Sequence, residues 1–449
     1  MRFATQAELI IESVNDKGYG VSSFNGKRVF VDGAIAGECV VAELAEHPTY
    51  YESRLVRVVA SSPFRAESNC GSPDCGGCQL AHIAYRRQLQ LKTERLASCL
   101  ARLSVDLSQF DLSCRPSDAI SGYRNKSVYY VRQINGSPAI GMFAKKSHRL
   151  VPVAACLLEP NWITEANARM SVWMKLSGLT GYDESTLKGD VREIIYRTGH
   201  GTGEKMAVLV ATGRLEDERR ELVRIAEELN LDSLYVNVNA SAGNGVYGAE
   251  FELIYGKETI ATNLGRYKFR IGPRSFWQLN SYQCENLYDA VRRYADLAGN
   301  EVVFDLYCGV GSIGLSLDGG FRKLYGVEIV PEAVELARFN AELNGIENTE
   351  FRTGRSEDVC IELVAEGLRP DVVILDPPRK GCHAELLDSV ARCRPSKIVY
   401  VSCDPESLSR DLACLVESGE YRVRQISAFD LFPNTCHVET VVLLSRDKA

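Results

Sequence analysis

Apolar and polar positions repeat with two different periods along this chain, and the change of period divides it. Over residues 1–60, alternating runs at 8–14, 28–31, 38–44 and 54–59 are separated by turn signals at Gly18-Tyr19-Gly20, Asn25-Gly26, Gly33 and Gly37. Short strands so closely spaced predict an OB-like β-barrel, a shape that often carries nucleic acid. A helical period covers 83–103. Strand-like pattern then dominates 123–271, interrupted by helical stretches at 161–176 and 215–230. From Gly272 onward, apolar runs at 302–306, 324–328, 372–375, 398–402 and 423–427 alternate with helical stretches at 331–344, 384–393 and 405–417. That alternation predicts an α/β unit with a parallel sheet. The expected organisation is a barrel (1–60), a β-rich central region (61–271) and an α/β region (272–449), with helix 83–103 free to pack on the last.

Composition narrows the class. A chain of 449 residues has room for two or three domains. Its longest apolar runs, 372–375 and 398–401, fall far short of the ~20 residues of a membrane span. The start, Met1-Arg2-Phe3-Ala4, lacks the apolar stretch of a signal peptide, so a cytoplasmic, monomeric protein is expected. Fifteen cysteines, partly clustered, suit metal or thiol chemistry better than a disulfide frame. The net charge of −7 does not suggest a polyanion partner. Residues 119–158, however, contain no Asp or Glu and six cations: Arg124, Lys126, Arg132, Lys145, Lys146 and Arg149. Tyr123, Tyr129, Tyr130 and Phe143 are interleaved with them. Such a strip is expected to neutralise phosphates and stack bases.

Cys70-x4-Cys75-x2-Cys78 brings three thiols together on a loop bent by Gly71, Pro73, Gly76 and Gly77. Cys156, at the end of the acid-free strip, is the candidate fourth ligand. Spacing alone leaves an iron–sulfur cluster and a four-cysteine zinc site both open. The radical SAM pattern, C-x3-C-x2-C, is missed by one residue.

The run 302–306 leads into Gly309-x-Gly311-x-x-Gly314, a strand–turn–helix phosphate or nucleoside loop, and Glu328 ends the next strand where a ribose would lie. Asp305 separates two readings. A carboxylate four residues before the first glycine repels a pyrophosphate but can hold an amino group, directly or through water. This favours S-adenosylmethionine (SAM) over a dinucleotide. Asp376-Pro377-Pro378-Arg379-Lys380-Gly381 follows another strand, placing an acid at the sheet edge where ligands bind. Methylases of base amines follow a similar acid-Pro-Pro turn with an aromatic residue; Arg379 stands here instead.

Cys403 lies between a strand and a helix, with Asp404 as N-cap and Pro405 as first helical residue. The helix dipole lowers the pKa of such a thiol and Asp404 opposes it, so a partly activated thiol is expected. Glu439 stands at the mouth of the last apolar strand, where burial would raise its pKa toward that of a general base. His437-x-Glu439 is half of a zinc deaminase signature, but no P-C-x-x-C follows. A thiol, a carboxylate and SAM together suit methylation at carbon 5 of uracil. Thiolate addition at carbon 6 makes carbon 5 nucleophilic, and a base then removes its proton.

With these motifs, Phe276-Trp277-Gln278-Leu279-Asn280 and Phe432-Pro433-x-Thr435-x-His437-Val438-Glu439, the chain resembles the bacterial RNA 5-methyluridine methyltransferases acting on 23S ribosomal RNA and tRNA. The resemblance implies a Rossmann-like class I SAM-dependent methyltransferase domain, a TRAM-type barrel and a central domain carrying a [4Fe–4S] cluster. It implies that Cys403 is the nucleophile, that Glu439 accepts the proton, and that Gln278, Tyr307, Glu328 and Asp376 touch SAM beside the loop of Asp305, Gly309 and Gly311. It also implies a cluster on Cys70, Cys75, Cys78 and Cys156. Two departures stand out: a first cysteine gap of four residues where some members have five, and Asp404 where Asn is usual. The barrel and cysteine cluster point to 23S rRNA as substrate, with tRNA as the alternative. An RNA-binding iron–sulfur protein with an inactive α/β domain and a nicotinamide oxidoreductase are the rivals.

Overall fold

The computed structural model describes residues 5–446 apart from 244, 319 and 418. Strands β1 (Thr5–Ile10) and β2 (Ser13–Val14) are two pieces of one bent segment, followed by β3 (Tyr19–Phe24), β4 (Lys27–Asp32), β5 (Cys39–Glu46) and β6 (Tyr50–Ala60). The sheet order is β1-β5-β6-β4-β3-β2, so the bent segment lies at both edges of this N-terminal β-rich sheet, whose strands curl round one core. Alternate residues Leu9, Val29, Val31, Val40 and Leu44 fill it. The buried Glu38 fastens the barrel to the next segment, accepting from the Arg65 guanidinium at 2.6 Å.

Helix α1 (Tyr85–Leu100) and the short strand β7 (Cys114–Arg115) come next. The central sheet comprises β8 (Lys126–Ile134), β9 (Ser137–Phe143), β10 (Leu150–Pro152), β11 (Val191–Thr198), β12 (Lys205–Ala211), β13 (Ser233–Val238) and β14 (Glu250–Gly256), ordered β10-β9-β8-β11-β12-β13-β14. Strand alternation buries both of its faces. Ile194 and Leu209 pack on Met170 and Trp173 of α2 (Trp162–Leu176) and on Leu222 and Ile225 of α3 (Arg219–Glu228). Ile195 and Val208 turn the other way and share a core with the α/β region. A hairpin, β15 (Ile260–Leu264) and β16 (Tyr267–Ile271), completes this part.

The α/β region contains α4 (Ser281–Ala295), β17 (Val302–Leu306), α5 (Ser312–Leu315), β18 (Lys323–Glu328), α6 (Pro331–Leu343), β19 (Thr349–Thr353), α7 (Ser356–Ala365), β20 (Val372–Leu375), α8 (Ala384–Cys393), β21 (Lys397–Ser402), α9 (Pro405–Glu417), β22 (Tyr421–Phe429) and β23 (Glu439–Arg446). Its sheet runs β19-β18-β17-β20-β21-β23-β22-β7. Strands β17 to β21 are mutually parallel, and β23 enters antiparallel between β21 and β22. The apolar runs are continuous because these strands are covered on both sides: Val399 and Val401 face one core, Ile398 and Tyr400 the other.

Early residues complete this late sheet. Strand β7 pairs with Ala428 and Phe429 of β22, and α1 packs on α9, with Leu96 and Leu100 buried in its core. One face of α1 also grips the segment before β23. Gln88 exchanges hydrogen bonds with Asn434 (2.9 and 3.1 Å), and the fully buried Lys92 donates to Asp430 at 2.5 Å and to the Phe432 carbonyl at 3.0 Å. No helix of the described residues is long and apolar enough to cross a membrane.

Removing Lys92 strands the Asp430 charge in a dry site. Lys92→Met is therefore expected to destabilise the chain by about 3–5 kcal/mol in urea denaturation, and adding Asp430→Asn to recover much of that loss. Equal stability of Lys92→Met and the parent would show that the pair does not hold α1 in place.

Candidate active site

The loops that follow the parallel strands share one edge of the sheet and line a cavity of about 950 Å³. Tyr307 and Gly309 come from the end of β17, Glu328 from β18, Glu357 from the start of α7, Asp376 and Arg379 from the turn after β20, and Cys403 from the end of β21. Gln278, Phe432 and Glu439 complete this part of the wall, and the largely exposed Phe276 stands at its rim.

The loop after β17 is held by carboxylates. Glu328 accepts from the Gly309 amide at 3.0 Å and the Val330 amide at 2.9 Å, tying two loops together while still facing the cavity. Tyr307 adopts φ +67°, a left-handed conformation that a bulky residue keeps only when its surroundings enforce it. Its amide donates to Ser356 Oγ at 3.3 Å. Asp305 lies deeper than the other loop residues. It is fully buried behind the loop, does not line the cavity, and accepts from the Gly314 amide at 2.9 Å. Burial pushes it up to about 7, so it braces the turn from behind. Gly314 has no room for a side chain, since a Cβ would lie 2.7 Å from that carboxylate. Gly311, at φ +80°, makes the turn into α5 and also lies off the cavity wall.

Strand pairing brings the two chemically distinctive residues together. In the antiparallel register of β21 and β23, Ser402 opposes Thr440. Cys403 leaves β21 just after that pair and Glu439 enters β23 just before it, so both reach the same end of the sheet and line the same cavity. Burial, with Asp376 nearby, pushes Glu439 up to about 8, as expected for a residue able to take a proton near neutrality. Burial pushes Asp376 up to about 7. The thiol departs from expectation. Asp404 does cap α9, accepting from the amides of Glu406 (3.1 Å) and Ser407 (3.0 Å), yet Cys403 is pushed up to about 12. Burial contributes most, followed by the carboxylates of Glu439 and Asp376; Arg379 opposes them. The partly activated thiol is thus, in the cavity without ligands, a neutral one. Arg379 Nη2 also lies 2.8 Å from His437 Nε2, and burial together with Arg379 pushes His437 down to about 4, so it stays neutral.

Comparison with known proteins decides the family. Residues 84–447 match the family described as tRNA (Uracil-5-)-methyltransferase. The chain belongs to that family. It is 39% identical to an uncharacterized RNA methyltransferase of Clostridium acetobutylicum over 98% of this chain and 96% of the relative. It is 38% identical to one of Listeria monocytogenes over 98% and 97%. The solved tRNA (uracil-54, C5)-methyltransferase of Pyrococcus abyssi, in complex with S-adenosyl-L-homocysteine, superposes with a TM-score of 0.79 at 30% identity, covering 97% of this chain and 99% of that one. The protein is an RNA (uracil-C5) methyltransferase with a mixed α/β fold and an N-terminal β-rich sheet.

The cysteine loop of this methyltransferase forms the far wall of the cavity through Gly76, Gly77 and Gln79, next to Arg124. All fifteen cysteines are free thiols. Burial and the neighbouring thiols push Cys78 up to about 11, and burial, Glu159 and Cys78 push Cys156 up to about 12. Burial pushes Cys75 up as well, with the neighbouring Cys70 thiol adding to it. Among the described residues, no group of three or more His, Cys, Asp or Glu side chains is arranged to hold a metal ion.

Part of the basic strip is spent inside the fold, whereas Lys146 and Arg149 are exposed. Lys126 is mostly buried and pushed down to about 7 by desolvation and by Arg197 and Arg124. Arg132 pairs with Glu184 at 2.5 Å and covers the stacked rings of Tyr130 and Phe143. Lys145 pairs with Asp32 of the barrel at 2.7 Å, and Lys146 sits over the barrel's Tyr19. Arg124 is the strip cation that faces the cavity. The partners Asp32 and Glu184 lie outside the strip, which is why it looked unpaired in sequence. Sequence reasoning also passed over the service of Arg379 to Cys403 and Glu439; its place one residue past Asp376-Pro377-Pro378 was the available signal.

Neutral Glu439 makes stability depend on pH. Between its ordinary 4.5 and about 8, the folded chain keeps a proton that the unfolded chain has lost. Stability from this group therefore falls as pH rises through that window. Glu439→Gln, which mimics the neutral acid, is expected to be more stable than the parent by at least ~1 kcal/mol at about pH 9, with the gap closing toward about pH 5. Thermal melts across that range check this, and a gap that is constant or inverted would refute burial as the cause.

Proposed function

We propose that this methyltransferase converts a uridine of a folded RNA to 5-methyluridine through a covalent adduct on Cys403, with SAM as methyl donor and Glu439 as base. The observation that carries the reading is the meeting of Cys403 and Glu439, delivered by adjacent antiparallel strands to one cavity whose opposite side is the glycine loop. Gln278, Tyr307, Gly309, Glu328 and Asp376 line the space assigned to SAM. Gly311 and Asp305 act from behind, by shaping the loop.

The resting site is neutral because burial raises its carboxyl groups and its thiol. SAM brings a sulfonium charge to the side where Asp376 lies. That positive charge favours ionised Asp376 and Glu439 and, by offsetting the carboxylates that face the thiol, also favours release of the Cys403 proton to solvent as the uridine enters. The target base leaves its stack at a cost of a few kcal/mol. The sulfur of Cys403 forms a bond to carbon 6, and the C5=C6 electron pair moves onto carbon 5 and its carbonyl. Carbon 5 takes the methyl group; the sulfonium C–S bond breaks and S-adenosylhomocysteine leaves. Glu439 takes the carbon 5 proton, the double bond reforms and the thiolate departs. Arg379, whose charge acts on both Cys403 and Glu439, offsets the negative charge that the cycle gathers.

Cys70, Cys75, Cys78 and Cys156 are proposed to hold a [4Fe–4S] cluster. The influence of Cys70 and Cys75 on Cys78, and of Cys78 on Cys156, supports a shared ligand. Such a cluster would cross-link the loop 70–78 to the central region and so stiffen the wall at Gly76–Gly77; the methyl transfer has no electron step. Substrate choice is left to experiment. The Pyrococcus enzyme, named for tRNA, is covered over 99% of its length. Overall architecture therefore does not by itself choose between 23S rRNA and tRNA.

Cys403→Ala is expected to abolish methyl transfer to both unmodified tRNA and 23S rRNA fragments while SAM affinity, by calorimetry, stays close to the parent's. Glu439→Gln should accumulate a heat-stable RNA–protein band on a denaturing gel. Normal turnover by either variant would refute its assigned role. Protein purified without oxygen should contain iron and sulfide and absorb broadly in the visible, and Cys78→Ser should lose all three; a chain free of iron and sulfide would refute the cluster.

A further inference from the structure

Gln88 and Lys92 account for the grip of α1 on the segment before β23, and Arg95, one turn further along the same face, reaches beyond it. Arg95 Nη1 donates to the Cys436 carbonyl at 3.0 Å, three residues before Glu439 and 341 residues away in the chain. Its Nη2 lies 3.6 Å from Oδ2 of Asp404, the residue after Cys403. The other Asp404 oxygen is occupied by the amides at the start of α9. The Arg95 side chain is 18% exposed, and its Nε is buried without a hydrogen-bond partner. One guanidinium thus touches the connections of both reacting residues while touching neither of them.

The charges around the sulfur give this geometry a task. Cys403 is faced by Glu439 of β23, by Asp376 and Arg379 from the turn after β20, and by Asp404 of its own turn. Each of the three carboxylates opposes formation of a thiolate, and Arg379 alone among these groups favours it. Asp404 is the one carboxylate of the three that a neutral Asn could replace as helix cap, since Asn caps as well as Asp does. Its retention requires a counter-charge, and Arg95 lies on the side of Asp404 away from its bonds to the helix.

We propose that Arg95 is a positioning residue for methyl transfer: it offsets the Asp404 cap beside the nucleophile and anchors the Cys436 carbonyl, setting the charge and spacing of the Cys403–Glu439 pair. This rests on the reading of Cys403 as nucleophile. The consequence is a coupling between Arg95 and Asp404 that shows in the pH dependence of the reaction and is absent from SAM binding.

The test measures single-turnover methylation of unmodified RNA against pH for the parent, Arg95→Met, Arg95→Lys, Asp404→Asn and the double variant Arg95→Met/Asp404→Asn, with SAM affinity alongside. Arg95→Met should slow methylation by ~tenfold or more near neutrality, the effect of one pKa unit on the ionised fraction, and move the rising limb of the profile to higher pH. Arg95→Lys should retain most of the parent's profile, and the double variant should recover both rate and profile. Asp404→Asn alone keeps the cap and should move the limb to lower pH, a readout that stands even where Arg95→Met folds poorly. Uniform slowing at every pH, with no recovery in the double variant and no shift in Asp404→Asn, would reduce Arg95 to a brace and overturn the proposal. The parent's adduct with 5-fluorouridine RNA separates the two readings: its absence defeats Cys403 as nucleophile, whereas its presence without Arg95–Asp404 coupling defeats this inference alone.

Discussion

The antiparallel entry of β23 between β21 and β22 is the constraint on which the rest of this enzyme depends. Parallel strands deliver their following loops to one edge, so a sheet built only of them would bring every side chain to the cavity from a strand's C-terminal end. Reversing one strand brings a residue from a strand's beginning to that edge. Glu439 is that residue, and the Ser402–Thr440 register aligns it with Cys403. A slip of one residue would turn Glu439 to the opposite face and bury it in a hydrocarbon core. The apolar alternation of Val441, Val442 and Leu444 between two cores prevents such a slip.

The second constraint is electrostatic. Asp305 and Glu439 are buried and Asp376 is half-buried, and all three are pushed up toward neutrality or above it, within reach of the glycine loop or the thiol. Acids placed in this way favour their neutral form until a cation offsets them. The same desolvation that silences Cys403 would strengthen every charge interaction once a sulfonium occupies the cavity. In the proposed reaction, activation of the thiol is thereby tied to the presence of the methyl donor.

Much of this was legible in the chain. Val302–Leu306, Val372–Leu375, Ala384–Cys393 and Pro405–Glu417 stand at the positions the pattern indicates, because strands covered on both faces read as apolar runs and α9 carries an Asp-Pro start. Strand β19, Thr-Glu-Phe-Arg-Thr at the sheet edge, went unread because one buried Phe351 leaves no pattern. Strand β7 is two residues long and owes its existence to β22. The gripping face of α1 was invisible for another reason: Gln88, Lys92 and Arg95 are polar residues turned inward, and only their partners near residue 430 explain why. Pairing across long distance also misled the reading of charge, since Lys145 and Arg132 find their carboxylates outside the acid-free strip. At the site, residue types and spacing indicated Cys403, Glu439, Glu328 and Asp376, whereas the depth of Asp305 and the sign of the thiol shift required the fold.

The early pieces inserted into the late sheet bear on modularity. Cys114 and Arg115 extend β22, and Lys92 neutralises Asp430 from 338 residues away. The α/β unit is therefore not a cassette that can be cut at residue 272 and grafted onto another RNA-binding partner. Any chimera has to carry the segment from α1 to β7 along with it, and lineages that exchanged their barrels would have had to cross over upstream of residue 85.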